Sequence, residues 1–449
     1  MGHIFHRHLN MDYPVAVGGD GPYIIDKTGK RYLDASGGAA VSCLGHSDAD
    51  VRAAMHAQID KIAFAHTGFF TTDVLEELGD FLAARAPDGL DWVYPVSGGS
   101  EAMEAAVKVA RQYVIEIGQG GRKHIIARRQ SYHGATLGTL AVGYHASRRA
   151  PYESIMPVTH HVSPCSAYRG QFDGESDADY VERLAGELEQ RILDLGANTV
   201  LAFVAETVVG ATGGVVPPVP GYFKRMREVC DQYGVLLILD EVMCGMGRTG
   251  TLFACEQDGI APDILAVAKG LAGGYQPVGA VLVHDRIVEA IRMGRGEFLH
   301  GHTYIGHAMG CAAALAVQKA IAERDLLSNI RTRGEELMAA LNARFGQSPH
   351  VGDIRGRGLF IGLELVADRA QKTPFEPSMK LNGRIKRHAM EQGLICYPAG
   401  GTADGVKGDH ILIAPPFIID DTHVGEIVEK LGAAVDAALG EIQGLGAAS

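Results

Sequence analysis

The sequence predicts an α/β protein with a large, mostly parallel central sheet flanked by helices, accompanied by a smaller α+β domain. In the middle of the chain, short apolar runs alternate with amphipathic segments. At both ends, strand pairs followed by helices replace this alternation. The length of 449 residues is sufficient for a large buried core, and no internal repeat or low-complexity linker interrupts the pattern.

The predicted strands of the middle region are short runs rich in apolar residues. They are Trp92–Val96, His124–Ala127, Val200–Ala205, Val235–Asp240, Ile264–Ala268 and Val278–Val283. The run Val235–Asp240 reads VLLILD, an uninterrupted apolar stretch that ends in an acid. Such a run is typical of a parallel strand buried on both faces, with its chemistry at the carboxyl end.

Helices are predicted between and after these strands. They are Glu101–Ile117, Tyr180–Leu195, Tyr222–Tyr233, Gly310–Ala322 and Leu326–Phe345. The first follows Ser-Gly-Gly-Ser and places Met103, Val107 and Ala110 on one face, which is the spacing of an amphipathic helix.

The two ends of the chain predict the smaller domain. We expect a hairpin over Gly21–Asp34, a strand pair over Asp353–Val366, and helices over Met379–Gln392 and Thr422–Leu439. The large domain is therefore predicted over residues 55–325, with residues 1–54 and 326–449 packing together as the smaller one.

Composition excludes several classes of partner. A net charge of −12 and a pI near 5.9 argue against nucleic acid and anionic membrane surfaces. No run reaches the ~18 apolar residues of a membrane span, and the N-terminal segment has no apolar signal-peptide core. Seven cysteines without a CxxC pair indicate reduced thiols and a cytoplasmic location. His3, His6 and His8 are interpreted as part of a frayed polar terminus, so no metal site is predicted.

Lys269 is the first candidate catalytic residue. It lies in AVAKGLAGGYQPVG (266–279), directly after an apolar strand and before several small residues. A lysine at that place points into the cleft at the sheet edge, where desolvation lowers its pKa and leaves a neutral, nucleophilic amine. Such an amine forms a Schiff base with an aldehyde, and the following glycines leave room for a flat cofactor. Alone, the motif also suits a surface lysine in a Gly-rich loop.

Asp240 is the second candidate, at the tip of the most apolar strand. A buried acid needs a partner, and a protonated pyridine nitrogen is one, since the ion pair keeps the ring able to accept electrons. A helix cap or a metal ligand is the alternative interpretation of Asp240 taken alone.

Two further segments add cofactor contacts. VSGGSEAM (96–103) leads from a strand into a helix, where backbone N–H groups and the Ser100 hydroxyl can bind phosphate. SYHGAT (131–136) carries Tyr132, which can stack on a cofactor ring. Taken singly, the first is also an ordinary capped turn, and Tyr132 also suits the core.

In combination these segments resemble the class III (ω-) aminotransferases, which have fold type I among pyridoxal-phosphate enzymes. The matching stretches, in the family's order, are SGGSEA (97–102), YHG (132–134), LDEVMCGMGRTG (239–250), AKGLAGGYQPVGAV (268–281), HGHTYIGH (300–307) and APPF (414–417).

The resemblance implies a pyridoxal 5′-phosphate cofactor and a role for each matching residue. Lys269 would be the Schiff-base lysine and would also move a proton during the reaction. The implied cofactor contacts are Asp240 at the pyridine nitrogen, Val242 and Tyr132 on the ring faces, Gly99 and Ser100 at the phosphate, Glu206 and His133 behind these residues, and Thr303 at the phosphate of the neighbouring subunit's cofactor. The expected assembly is a homodimer or a dimer of dimers.

The implied reaction moves an amino group from an amine, ω-amino acid or diamino acid to pyruvate or 2-oxoglutarate by a ping-pong mechanism. The sequence departs from family patterns at four positions. Ala135 and Leu412 lie where relatives often carry arginine, Met243 where they often carry glutamine, and Ala211 where they often carry an acid. Because a substrate carboxylate needs a cationic partner, Lys407 is a candidate for it. A solvated loop lysine is the alternative.

Other functions remain open at this point. GMGRTG (245–250) matches the GxGxxG pattern of a nicotinamide dehydrogenase. A decarboxylase or aminomutase of the same fold would use the same cofactor contacts.

Overall fold

A computed structural model of the protein describes residues 3–447, so residues 1–2 and 448–449 of the predicted terminal segments lie outside the described residues. The strands, in chain order, are β1 (Ala16–Asp20), β2 (Tyr23–Asp26), β3 (Arg31–Asp34), β4 (Trp92–Val96), β5 (His124–Arg128), β6 (His160–Val162), β7 (Val200–Glu206), β8 (Leu236–Asp240), β9 (Ile264–Val267), β10 (Gly279–Val283), β11 (Val351–Arg357), β12 (Phe360–Leu365), β13 (Leu394–Ile395), β14 (Tyr397–Gly400) and β15 (Asp409–Ile413).

The helices, in chain order, are α1 (Gly37–Ala40), α2 (Ala49–Lys61), α3 (Asp73–Ala83), α4 (Gly99–Glu116), α5 (Leu137–Val142), α6 (Ala146–Arg149), α7 (Ala167–Gly170), α8 (Asp177–Leu195), α9 (Tyr222–Tyr233), α10 (Asp285–Met293), α11 (Ala308–Glu323), α12 (Leu326–Phe345), α13 (Leu381–Glu391) and α14 (Asp421–Ala447). A short 3₁₀ turn, Lys269–Leu271, follows β9. Within residues 3–447, no helix combines the length and apolar character needed to cross a membrane.

The central sheet has the strand order β4-β10-β9-β8-β7-β5-β6. The strands from β9 to β6 pair in parallel, whereas β10 runs antiparallel to both of its neighbours. The predicted α/β class with a mostly parallel sheet is therefore confirmed. The prediction missed β6, a three-residue edge strand with two histidines, because it is too short and too polar to show an apolar run.

Strand β8 shows why this sheet has helices on both faces. All five of its residues are buried. Leu237 and Leu239 belong to one apolar cluster, whereas Leu236 and Ile238 belong to another on the opposite face. Successive side chains of a strand point to opposite faces, so a continuous apolar run can be buried only between two layers.

The terminal segments pair with each other as well as with themselves. β13, from the C-terminal part of the chain, adds in parallel to β3 in the sheet β1-β2-β3-β13, and a separate antiparallel sheet has the order β11-β12-β15-β14. The β2–β3 turn is closed by Asp26, whose side chain accepts hydrogen bonds from the backbone N–H groups of Thr28 and Lys30. The predicted domain boundaries, between residues 54 and 55 and between residues 325 and 326, stay a prediction.

Candidate active site

The carboxyl ends of strands β4, β5, β7, β8 and β9 lie at one edge of the central sheet, and a cavity of about 390 Å³ opens there. Antiparallel β10 brings its first residues to the same edge. The cavity is lined by Val41, Ser97, Gly98, Gly99, Ser100, Tyr132, His133, Gly134, Glu206, Ala211, Asp240, Val242, Met243, Ala268, Lys269, Gly274, Gln276, Pro277 and Val278. A volume of this order suits a small organic ligand.

Lys269 is the second residue after β9, at the start of the 3₁₀ turn, and its side chain reaches the cavity. Its φ of +47° places it in the left-handed region, which a residue with a side chain seldom adopts and which recurs at functional sites. Burial lowers the pKa of the Lys269 amine, while the nearby carboxylates of Asp240 and Glu206 oppose this effect. A lysine with a lowered pKa is more often neutral, and the neutral amine is the nucleophile.

Asp240 ends β8, and both of its carboxylate oxygens have partners. Oδ2 lies 2.8 Å from Nδ1 of His133, and Oδ1 accepts a hydrogen bond of 2.9 Å from the backbone N–H of Val242. The side chains of His133 and Asp240 are almost entirely buried. These contacts fix the direction in which the carboxylate faces, because rotation would break both of them.

Glu206 ends the neighbouring strand β7 and positions the segment that carries Tyr132. Its Oε1 accepts from the backbone N–H of Tyr132 at 3.1 Å, and its Oε2 accepts from that of Gly210 at 2.9 Å. Burial raises the pKa of Glu206, and its hydrogen bonds oppose that effect by favouring the ionised form.

The start of helix α4 forms another wall. At Gly99 the backbone passes so close to Val242 that an added Cβ would lie 2.6 Å from the Val242 Cγ1 atom. The Ser100 hydroxyl accepts a hydrogen bond of 3.1 Å from the backbone N–H of Ala135, which ties the following loop to this helix. The N–H groups of a helix's first turn lack partners within the helix and attract anions.

These residues fit a phosphate-bearing pyridine aldehyde. The helix start offers donors for a phosphate, and the oriented Asp240 carboxylate suits a protonated ring nitrogen. The Lys269 amine suits an aldehyde. The missing side chain at Gly99 leaves space beside Val242 that a Cβ would fill.

The structure brings most of the predicted site residues to this one cavity. Those that line it are Gly99, Ser100, Tyr132, His133, Glu206, Asp240, Val242 and Lys269. Thr303 does not line it; this residue is exposed on the segment 300–307.

The structure does not place Lys407, the candidate partner of a substrate carboxylate, among the residues that line the cavity. Its side chain is half exposed, with Nζ 3.8 Å from Oε1 of Glu376. The loop 401–408 curls back on itself, since Gly401, Gly405 and Gly408 all have positive φ values and Ala403 N–H donates to the Lys407 carbonyl. That curl carries Lys407 to the outside of the loop.

Among the lining residues that sequence reasoning did not assign to the site are Val41, Ser97 and Gln276. Ser97 and Gln276 lie inside motifs already identified, so their proximity to those motifs was an available signal. Val41 comes from the N-terminal segment and contributes through tertiary packing alone. Ala40, its neighbour, is buried in a separate apolar cluster with Met243 and Leu412.

The dehydrogenase interpretation of GMGRTG is wrong. A dinucleotide-binding fingerprint opens a helix, whereas residues 245–250 form successive turns and lead only to a 3₁₀ segment, Ala254–Asp258. Arg248 within the motif is buried and donates hydrogen bonds to the carbonyls of Leu359 and Pro415. The motif therefore joins the central part of the chain to its C-terminal part.

Comparison with known proteins gives matches over almost the whole chain. A family model described as "Aminotransferase class-III" matches residues 6–435. An uncharacterized aminotransferase of Schizosaccharomyces pombe is 45% identical over 430 residues, covering 96% of this chain and 94% of that protein. The diaminobutyrate–2-oxoglutarate transaminase of Halomonas elongata is 35% identical over 431 residues, covering 94% of this chain and 90% of its own.

Among solved structures, an amine transaminase from an uncultivated Pseudomonas species superimposes with a TM-score of 0.90 at 34% identity. The match covers 98% of this chain and 99% of that one, and the structure is described as the pyridoxal-phosphate-bound form.

Proposed function

The chain belongs to the class III aminotransferases, a family of pyridoxal-phosphate-dependent enzymes, and from that premise we propose its substrates and the roles of its residues. The amino donor is an amine, an ω-amino acid or a diamino acid, and the acceptor is pyruvate or 2-oxoglutarate. The two substrates react in turn, in a ping-pong sequence. The observation that carries this proposal is the pairing, in one cavity, of a lysine of lowered pKa with an oriented, buried carboxylate.

Small side chains at two positions support an extended donor. Ala135 and Ala211 are small residues where relatives often carry longer side chains, and Ala211 lines the cavity. The Halomonas elongata relative is named for a diamino acid, diaminobutyrate, and for 2-oxoglutarate. Both observations favour a donor with a second functional group over a short monoamine.

Pyridoxal phosphate, when bound, supplies an aldehyde that joins to amines and a ring that accepts electrons from the substrate. We assign to Lys269 the covalent attachment and, once released, the transfer of a proton to and from the substrate carbon through Nζ. Asp240, held by His133 and the Val242 N–H, would keep a bound ring nitrogen protonated. Val242 and Tyr132 would contact the ring.

The remaining roles concern the phosphate and the supporting residues. Gly99 and Ser100 at the start of α4 would bind the phosphate through their N–H groups and the Ser100 hydroxyl. Glu206 keeps Tyr132 in place through the main chain.

A homodimer completes the site in this proposal, with Thr303 reaching the phosphate bound by the partner subunit. Support comes from the surface around Thr303. Phe69 and Tyr304 are 81% and 61% exposed, an unusual exposure for large aromatic side chains. The ring of Phe64 lies 5.6 Å from that of Tyr304, and His66 contacts the rings of both Phe64 and Phe69. Light scattering and a Thr303→Ala variant with weakened cofactor binding test this assembly.

The substrates are tested by separated half-reactions. The cofactor-loaded enzyme is mixed with diamines, β-alanine-like acids or 2,4-diaminobutyrate, and the change of the cofactor's visible absorption is recorded. Addition of pyruvate or 2-oxoglutarate should then restore the starting spectrum and yield alanine or glutamate. If no donor of these classes changes the spectrum, the substrate proposal fails. Carbon dioxide release or substrate isomerisation without an acceptor would instead indicate a decarboxylase or an aminomutase.

A further inference from the structure

Arg148 is a cation beside the cavity whose side chain has no polar partner in the part of the chain that the structure describes. It lies on the short helix α6, half-buried, and its guanidinium carbon is 4.9 Å from the ring centroid of Tyr132, a cavity-lining residue. Across residues 3–447, the Arg148 side chain forms neither a hydrogen bond nor an ion pair. A guanidinium carries five N–H donors, so this one is available to bind an anion.

The adjacent Arg149, by contrast, has a structural role, because its guanidinium is hydrogen-bonded to the main chain. Its Nη1 donates hydrogen bonds to the carbonyls of Leu140, Ala141 and Gly143, at 3.2, 2.7 and 2.6 Å. These bonds fasten α6 to the end of α5. Arg149 therefore anchors the turn, while Arg148 is held at a fixed place with its donors unused.

The loop 401–408 fixes α6 from the other side. Gly405 passes so close that an added Cβ would lie 2.7 Å from the backbone nitrogen of Ala146, and one on Gly401 would lie 2.8 Å from Nε2 of His145. Gln130 holds the loop by donating hydrogen bonds to the carbonyls of Gly401 and Thr402. The loop that carries Lys407 thus contributes by packing against the helix of Arg148.

Within the described part of the chain, the residues that line the cavity offer no obvious cationic partner for the carboxylate of an oxo-acid substrate. Among the described lining residues, Lys269 is the only cation, and Glu206 and Asp240 are acids. The positive charge of Arg148 contributes to lowering the pKa of Lys269, so Arg148 lies within electrostatic reach of the reacting amine. Arg7, on the exposed N-terminal segment, also acts on the pKa of Tyr132 and is the competing cation.

We propose that Arg148, stacked beside Tyr132, binds the carboxylate of the oxo-acid acceptor and so determines which acceptors the enzyme uses. The inference rests on the proposed function, because it assigns a partner to the acceptor's carboxylate. Neither Ala135 nor Leu412, where relatives often carry arginine, can bind a carboxylate. Leu412 is fully buried in an apolar cluster.

The test compares four variants of the cofactor-loaded enzyme. Arg148→Met removes the charge and retains much of the volume, whereas Arg148→Lys retains the charge. Lys407→Ala is the matched control for loss of an exposed cation nearby, and Arg7→Ala tests the competing cation. Each variant is assayed in separate half-reactions, one with a monoamine that lacks a carboxylate and one with pyruvate or 2-oxoglutarate. Binding of succinate, an unreactive dicarboxylate, is measured by calorimetry.

We expect Arg148→Met to raise the KM for the oxo acid by roughly 10- to 100-fold, the usual effect of losing a charge-assisted contact. The monoamine half-reaction and the cofactor's absorption spectrum should stay unchanged. Succinate binding should weaken in parallel, and Arg148→Lys should recover part of both effects. If KM rises for both pyruvate and 2-oxoglutarate, Arg148 binds the carboxylate next to the oxo group. If KM rises for 2-oxoglutarate alone, Arg148 binds its distal carboxylate.

Three outcomes overturn the inference. One is an unchanged oxo-acid KM and unchanged succinate binding in Arg148→Met. Another is an equal loss in the monoamine half-reaction with an altered spectrum, which indicates that Arg148 only supports Tyr132. The third is a loss confined to Arg7→Ala. The proposed function fails separately, when the unmodified enzyme loads its cofactor but transfers no amino group.

Discussion

The floor and the mouth of the cavity hold their polar groups in different ways. The floor, Asp240, His133, Glu206 and Lys269, is attached to the ends of buried strands or to the loop behind them, and its carboxylates are fastened by backbone N–H groups and His133. At the mouth, Tyr132 and Arg148 contact each other, and the Arg148 guanidinium makes no polar contact with the described part of the chain.

This difference indicates a division of labour. A group that must hold one cofactor in one orientation benefits from fixed partners, because preorganised donors and acceptors need not rearrange during the reaction. A group that binds substrates of different lengths needs hydrogen-bond donors that are not already paired within the protein. If the two regions differ in this way, substitution of a floor residue should reduce activity strongly.

The largest effect is expected for Lys269→Ala. Loss of the amine removes covalent attachment and proton transfer, and the second of these alone should reduce kcat by roughly 10²- to 10⁴-fold. Borohydride reduction followed by mass spectrometry measures attachment, and a steady-state assay measures turnover. A Lys269→Ala protein that still binds the cofactor covalently and turns over normally would contradict the assigned role of Lys269.

The next effect is expected for Asp240→Asn. This variant keeps the shape of the side chain but removes the charge that faces the ring, and breaking a buried charge pair costs roughly 3–5 kcal/mol. Turnover should fall by roughly 10²- to 10³-fold. Folding, checked by circular dichroism, should be retained. Turnover within a few-fold of the unmodified enzyme would contradict the assigned role of Asp240.

A smaller effect is expected at the start of α4, where two adjacent glycines form a matched pair. A Cβ on Gly99 would lie 2.6 Å from Val242 Cγ1, whereas one on Gly98 meets nothing within 4 Å. Gly99→Ala should therefore cost roughly 1–3 kcal/mol through overpacking and weaken cofactor binding. Gly98→Ala should leave cofactor affinity close to normal.

A second substitution sharpens this test. Val242→Ala in the Gly99→Ala background should restore part of the lost stability, because it removes the atoms that the new methyl group meets. Thermal unfolding with and without added pyridoxal phosphate measures both quantities. Equal effects of the two single glycine variants would show that contact with Val242 is not the cause.

The smallest effect at neutral pH is expected for two buried titratable residues, His410 and Glu241. His410 is buried, its Nδ1 lies 2.7 Å from the Thr402 hydroxyl, and burial lowers its pKa from 6.5 to about 3. The unfolded chain therefore binds a proton below pH 6.5 that the folded chain does not accept until about pH 3. The free energy of unfolding should decrease as pH falls through this window, by at most ~1.4 kcal/mol per pH unit for one proton.

Glu241, beneath the floor, should act in the opposite direction. Burial raises its pKa from 4.5 to about 7, so its effect is to lower stability as pH rises between those values. Denaturant titrations should show a shallower decline below pH 6.5 for His410→Asn and a shallower decline above pH 4.5 for Glu241→Gln. An unaltered pH profile in either variant would contradict the corresponding pKa shift.

Asp240 and Lys269 in the floor were predictable because local sequence specifies them. An apolar run such as LLILD can be buried only as a strand between two layers, and its final acid then has to lie at the sheet edge. Lys269 follows from the same argument on the next strand. The likeness of the ordered motifs to a known family added Gly99, His133 and Glu206, which spacing alone would not have identified.

The mouth was decided by tertiary structure. Lys407 and Arg148 are both basic residues in unremarkable loop sequences, and nothing local indicates which one lies against Tyr132. Positive φ values at Gly401, Gly405 and Gly408 turn the loop so that Lys407 lies outside, and the same loop packs against the helix of Arg148. Sequence determined the strands and the groups at their ends, because burial of apolar runs is a local constraint. Only the packing of distant segments decided which cation is left without a partner, because that depends on where every other acceptor of the fold lies.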